Sequence, residues 1–170
     1  MPHELTFSCY SRLPLLNRDR TRQWFVDSLA DARTKWPIDV WAWVIMPEHV
    51  HLLVAPRESN VDIGRFQGKV KERVARNAIR WLEIHAPERL PRITVKEGPR
   101  TRRRFWQPGG GYDRNITEVD ALYASLTYIH MNPVKRGLVT LPEDWAWSSA
   151  RYYAGISPAH LQMDPTLPSF

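Results

Sequence analysis

The sequence predicts an α+β domain, a ferredoxin-like antiparallel sheet with helices packed on it. Three observations predict it. Short strand-like runs occur at residues 6–10, 38–46 and 49–55. Longer segments with helical spacing lie between and after them, at 21–35, from after Asn60 to about Ile84, and from Thr117 onward. With a further strand near 103–107, the order is strand, helix, strand, strand, helix, strand, helix. The first six elements follow the split βαβ plan. That plan hosts many functions, so it says nothing by itself about chemistry.

Each element has a local reason. Residues 21–35 put Trp24, Phe25, Leu29 and Ala32 near helical spacing. Residues 38–46 set Val40, Ala42 and Val44 against Trp41, Trp43 and Ile45, so both faces are bulky, as in a central strand. Pro47-Glu48 makes a tight turn, and 49–55 returns antiparallel. The long helix carries an apolar stripe of Ile63, Phe66, Val70, Val74, Ile79 and Leu82. Residues 86–102, rich in Pro and Arg, read as a basic loop, and 108–111 as a flexible turn. The last helix starts at Thr117 with Asp120 three residues on, in capping-box fashion. Asn132-Pro133 weakens it and Gly137 ends it. One domain is expected over 1–156, with a loose, flexible tail over 157–170, where prolines recur.

Composition narrows the function classes. A chain of 170 residues with 43% hydrophobic content suits one domain with a real core. No apolar run approaches the roughly 20 residues that span a bilayer, and no secretory leader is expected. Cys9 is the only cysteine, which excludes an internal disulfide and fits a reducing cytoplasm. The net charge is +6 and the pI about 9.8. Residues 65–104 hold 13 of the 24 Lys and Arg against four acids, Glu72, Glu83, Glu88 and Glu97, a local charge of +9. A solvated surface normally interleaves the two signs. An anionic partner, nucleic acid above all, is therefore expected on this block. Lys69, Arg73, Arg76 and Arg80 form a basic stripe on the long helix. Arg102, Arg103 and Arg104, beside Phe105 and Trp106, could bind backbone and stack bases. The plainer reading of these last residues is a solvated loop with Trp106 in the core.

His49 and His51 sit two apart on a strand, so both point to one face while Val50, Leu52 and Val54 point to the other. Two imidazoles on one face can chelate a divalent metal, although two histidines near a turn can also simply bond to neighbours. Leu53 stands where a histidine-triad hydrolase would have its third histidine. Any third ligand must come from another element.

The segment 117–131 advances about 100° per residue. Val119, Leu122, Leu126 and Ile129 fall on one side, the buried one, with Tyr123 and His130 beside them. Tyr128 and Asn132 fall opposite, one turn apart, among the small residues Ala121, Ala124 and Ser125. Such a tyrosine has room for a bulky substrate, and Asn132 can offer an amide oxygen to a metal that Tyr128 also approaches. Taken alone, the helix favours a plainer role, with Tyr128 packed on the sheet and Asn132 capping the helix end. His130 points away from Tyr128 and suits the core or a supporting hydrogen bond.

Taken together, WAWVIMPEHVHLLV (41–54), RRFWQPGGGYDRNI (103–116), YIHMNPVKRGLV (128–139) and DWAWSSARYY (144–153) resemble the REP-associated tyrosine transposases. These belong to the HUH group of single-strand DNA endonucleases and transposases. The opening TFSCYSRLPLL (6–16) is also typical, so the resemblance spans about residues 5–155. It implies the HUH nuclease fold, with Mg²⁺ or Mn²⁺ on His49 and His51, a third ligand at Asn132, and Tyr128 as the catalytic tyrosine. Glu48 stands where such proteins often have Asn, and is expected to support a ligand rather than be one, since its side chain points off the histidine face. The implied partner is single-stranded or hairpin DNA at repetitive extragenic palindromes. No membrane and no small-molecule cofactor is expected. A monomer acting in a bacterial cytoplasm, at the nucleoid when bound to DNA, completes the expectation.

The implied chemistry is cleavage and rejoining of DNA through a 5′-phosphotyrosine intermediate. One rival is a non-catalytic module that binds hairpin DNA or RNA with the same charge and aromatics. Another is a metal hydrolase with activated water, which would leave no protein–DNA adduct.

Overall fold

The computed structural model describes residues 1–169. Its main sheet contains β1 (His3–Ser8), β2 (Ile38–Ile45), β3 (His49–Pro56) and β6 (Tyr112–Asn115), in the order β2-β3-β1-β6 with every neighbouring pair antiparallel. This is the split βαβ order, and the fold is the expected α+β sheet with helices. α1 (Asp19–Lys35) and α2 (Ile63–His85) cover one face. α3 (Val119–Lys135) covers the other, over β2 and β3. A short α4 (Ala150–Tyr153) follows.

Alternation along the strands sorts the side chains into two cores. Leu5, Phe7, Val50, Leu52 and Val54 join Phe25, Leu29, Phe66 and Val70 under α1 and α2. Leu53 and Ala55 join Leu122 and Ile129 under α3. Each fully buried large apolar side chain contributes about 1.5–3 kcal/mol, so both faces are firmly held. At its inner end the α3 face turns polar, because Glu4, Thr6, Ser8, His49 and His51 all project to that side.

Several expectations are corrected. β2 carries a bulge between Val40 and Ala42. The extra residue shifts the alternation by one, so Val40 shares a core with Trp43 and Ile45, and Trp41 shares the other with Ala42 and Val44. β2 is also an edge strand, not a central one. It is bulky on both faces because helices cover both, and its free edge is closed by bonds from Ile45 N to Trp147 O and Ser149 N to Trp43 O, each 2.9 Å.

The fourth strand of the sheet is β6, not residues 103–107. Within the expected basic loop, β4 (Thr94–Glu97) and β5 (Arg100–Arg103) form a separate two-stranded ribbon. Arg100–Arg103 has no apolar residue to bury, so it cannot join a packed sheet. β6 reaches the edge of β1 through the 108–111 turn. Gly111 has φ +74°, and a Cβ there would stand 2.3 Å from the carbonyl oxygen of Thr6. Only glycine allows this approach.

α3 starts at Val119 after Glu118 without a side-chain capping bond, so the Thr117–Asp120 box does not form. It runs through Pro133 to Lys135, and Gly137 at φ +71° closes it. The expected loose tail instead lies along the molecule. Leu161 and Met163 are buried in the α1/α2 core, Asp164 accepts from Arg33 at 2.8 Å and from Val40 N at 2.9 Å, and the rings of His160 and Trp147 stack at 4.0 Å. The apolar spacing of Leu161 and Met163 anchors it. The tail's final residue, Phe170, lies outside the described residues.

The glycine turn makes a controlled test possible. Gly111→Ala should lower stability by about 1–3 kcal/mol in urea unfolding, because both φ and space are wrong. Gly110→Ala, with no atom within 4 Å of its added Cβ, should stay within about 0.5 kcal/mol of the parent. Equal effects would show that β6 does not depend on this contact.

Candidate active site

The antiparallel register of β1 and β3 sets Thr6 opposite His51 and Ser8 opposite His49. Thr6 Oγ1 lies 2.8 Å from His51 Nδ1, and Glu48 Oε1 lies 3.0 Å from His49 Nδ1. A carboxylate can only accept, so His49 carries its proton on Nδ1 and leaves Nε2 bare. The Thr6 hydroxyl can accept from His51 in the same way. The two inner nitrogens then converge, Nε2 to Nε2 at 3.0 Å. Asn132 adds its amide, with Nδ2 3.2 Å from His51 Nε2, and a half-turn of that amide brings Oδ1 to the same place.

This donor set fits a small divalent cation. Two ligands about 2.1 Å from one ion and at right angles to each other stand about 3.0 Å apart. Both histidines are buried, and both are tuned toward the neutral form that a metal requires. Burial lowers the His49 pKa against the opposing pull of Glu48. Burial, reinforced by His49, pushes His51 down to about 3. Burial works to raise the Glu48 carboxyl, but the hydrogen bond from Arg136 and the neighbouring His49 outweigh it and hold it below its ordinary value. Among the described residues no three His, Cys, Asp or Glu side chains cluster in a metal-binding group; the group that meets the two imidazoles is the Asn132 amide.

Tyr128 stands at the rim, 43% exposed, with its ring centroid 5.3 Å from that of His51 and edge-on to it. It lines two adjoining clefts. One, of about 540 Å³, is floored by Glu4, Thr6 and Ser125 and flanked by Tyr112 and Arg114. The other, of about 390 Å³, holds His49 and Asn132 and is flanked by Arg12, Lys135 and Arg136. Among the described residues Glu4 is the one acid lining either cleft, buried and engaged with Arg114 and Ser125, each at 2.7 Å, and Glu48 beside His49 is engaged with His49, Arg136 and Arg12. The rim is therefore cationic, as a polyanion requires. Lys135 Nζ lies 5.4 Å from the Tyr128 ring centroid.

The structure brings together Glu48, His49, His51, Tyr128 and Asn132, but not on the expected geometry. Asn132 and Ser125 face the sheet and are buried, while Val119 is exposed. The helix has turned because the sheet beneath this end is polar, so a polar stripe of α3 finds partners there. Glu48 does not point away; its carboxylate curls back onto His49. His130 bonds Ser149 Oγ at 2.7 Å, partly buried away from the site, and its pKa is lowered to about 4 by burial.

The expected DNA-binding residues lie elsewhere. Lys69, Arg73, Arg76 and Arg80 are on α2, on the other side of the sheet, and three of them already pair with acids: Lys69 and Arg76 with Glu72, and Arg73 with Asp31. Arg103 pairs with Glu83, and Arg102 and Arg104 with Glu97, on or beside the ribbon. Trp106 is buried edge-on to Phe7, its indole N–H given to Lys71 O at 2.9 Å, so it is not free to stack a base. None of these lines either cleft. The residues missed at the site are Glu4, Thr6, Arg12, Arg114, Lys135 and Arg136. The alternation of Glu4, Thr6 and Ser8 along β1 is the signal that could have found the first two.

No family model matches the chain. It is 26% identical over 139 residues to a Haemophilus influenzae protein assigned as a REP-associated tyrosine transposase, covering 78% of this chain and 74% of that one. It is 27% identical over 113 residues to the REP-associated tyrosine transposase of Escherichia coli K12, covering 66% of this chain and 54%, about half, of the relative. Among solved structures, a REP-associated tyrosine transposase bound to a REP hairpin superposes with a TM-score of 0.69 at 21% identity, over 99% of this chain and 88% of that one. A Deinococcus radiodurans protein assigned as a transposase reaches 0.50 at 21% identity, over 76% and 88%. At these identities the structural likeness is one of fold. By the sequence of its curated relatives and by its fold, this chain is similar to the REP-associated tyrosine transposases.

Proposed function

We propose that the chain is a metal-dependent enzyme that cleaves and rejoins single-stranded DNA at palindromic hairpins, with Tyr128 as nucleophile. The observation that carries this reading is the convergence of His49 Nε2, His51 Nε2 and the Asn132 amide beside Tyr128 in one cationic cleft. The relatives named for REP elements, and the neighbour seen with a REP hairpin, support hairpin DNA as the substrate class.

In the proposed reaction the Tyr128 Oη attacks the phosphorus of a phosphodiester. The bond from phosphorus to the 3′-oxygen breaks, the phenolic proton is balanced by the one gained at the departing 3′-hydroxyl, and the 5′-phosphate stays on the tyrosine. Reversal by a second 3′-hydroxyl rejoins strands, so no nucleotide cofactor is needed. Mg²⁺ or Mn²⁺ held by His49, His51 and Asn132 would supply charge neutralisation and polarisation of the phosphodiester. Thr6 and Glu48 hold the two imidazoles in the tautomer that presents Nε2. Arg12, Lys135 and Arg136 on one side, and Arg114 on the other, attract the strand and orient its phosphates. The open rim at Tyr128 admits a flexible strand more readily than a duplex. All these groups come from one chain, so the reading needs no second copy.

Tyr128→Phe removes one oxygen at an exposed position. It should keep folding and hairpin binding while abolishing both cleavage and the covalent adduct in a denaturing gel with Mn²⁺. Cleavage that persists without an adduct would point to water as nucleophile. Hairpin binding with no cleavage by the parent protein would favour a non-catalytic module.

Metal affinity gives a second, activity-free test. His51→Ala should remove Mn²⁺ binding measured by calorimetry, and Glu48→Gln should weaken it by about 10–100-fold by releasing His49 from its partner. Unchanged binding in both variants would place the metal elsewhere.

A further inference from the structure

On the other side of the sheet, away from the histidines, a cleft of about 320 Å³ opens between the start of α1, the later turns of α2 and the 3₁₀ segment Pro87–Ile93. Its walls are aromatic and its rim is basic. Arg20 lies over Trp81, 3.7 Å from the ring centroid, and 5.7 Å from that of Trp24; His85 packs against Trp81 with centroids 4.8 Å apart. This makes a ladder of flat groups. Arg18, Arg89 and Arg92 also line it, and among the described residues no acid does. Arg89 meets Glu88 only at 3.9 Å, and both are exposed. Lys69, Arg73 and Arg76 each meet an acid more closely than this, and among the described residues no ion pair engages Arg18 or Arg92.

We infer that this cleft binds one unstacked nucleotide of the DNA, its base on the Trp24–Arg20–Trp81 ladder and its flanking phosphates on Arg18, Arg89 and Arg92. The inference rests on the reading of the chain as a DNA enzyme and gives that DNA a second contact, remote from Tyr128. The size suits one nucleotide, since small-ligand sites begin at about 300 Å³. The chemistry suits a base next to phosphate, because aromatic and guanidinium planes stack any base while free arginines take the charge. An acidic peptide would use the arginines but leave the ladder without a role.

The test uses hairpin oligonucleotides with a 5′ single-stranded extension, carrying 5-iododeoxyuridine at one position at a time. Irradiation followed by peptide mapping should place a cross-link on Trp24 or Trp81 from at least one position. Arg18→Ala with Arg92→Ala, both exposed, should weaken binding roughly tenfold and flatten the salt slope by about 0.7 per lost contact. Trp81→Phe, which keeps an aromatic plane, should cross-link less but bind better than Trp81→Ala. Cross-links confined to the histidine side, with affinity and salt slope unchanged in the double arginine variant, overturn the inference. So does unchanged DNA binding together with capture of a polyglutamate probe that the arginine variant loses. A parent protein that forms the Tyr128 adduct but no cross-link here refutes this inference alone. Cross-links here without any adduct support it and refute the catalytic reading.

Discussion

Two buried imidazoles that face each other at 3.0 Å need either a shared proton or a cation between them, and much of the site's arrangement follows from that constraint. Neither ring can turn aside. Thr6 holds one outer nitrogen and Glu48 the other. Glu48 is itself held by Arg136 and Arg12, so the end of α3 and the loop after β1 are tied to the orientation of His49. Burial makes protonation of either ring costly, with His51 lowered to about 3. A protonated pair is thereby disfavoured near neutral pH, which leaves neutral nitrogen donors aimed at a common point.

The fold supplies this geometry through register. A slip of one in the pairing of β1 with β3 would put Leu5 or Phe7, not Thr6, beside His51 and would turn the histidines into the α1/α2 core, and a slip of two would put Glu4 or Ser8 there. The Gly111 approach to Thr6 sets β6 on the outer edge of β1 and so brings Tyr112 and Arg114 to the cleft. α3 then crosses the histidine face with an apolar half over Leu53 and Ala55 and a polar half over Glu4 and His51. Asn132 is buried for the same reason that it can serve as a donor: the surface it packs on is polar.

Much of this was legible in the sequence. Strand alternation puts both histidines on one face and Val50, Leu52 and Val54 on the other, and local pattern alone suffices for that. The pairing of Tyr128 with Asn132 one turn apart is likewise a matter of helical spacing. What the sequence hides is nonlocal. The bulge at Trp41 reverses the faces of half a strand, and nothing in WAWVI marks the extra residue. The rotation of α3 depends on the polarity of a sheet face assembled from β1 and β3. Charge density does not place its own partners: only coordinates show that Glu72, Glu83 and Glu97 pair with arginines and a lysine of the block at 65–104. Trp106 next to three arginines has the composition of a stacking site but the burial of a core residue.

In the proposed site His49 and His51 present unprotonated Nε2 atoms to one divalent cation. Two-bond proton–nitrogen NMR on histidine-labelled protein reads this directly, ring by ring, as Mg²⁺ is added. Both rings should carry their proton on Nδ1 in the presence of Mg²⁺, and both Nε2 resonances should move together over the titration while those of His130 stay in place. A proton on Nε2 of either ring at saturating Mg²⁺, or Nε2 resonances that ignore the metal, would contradict it.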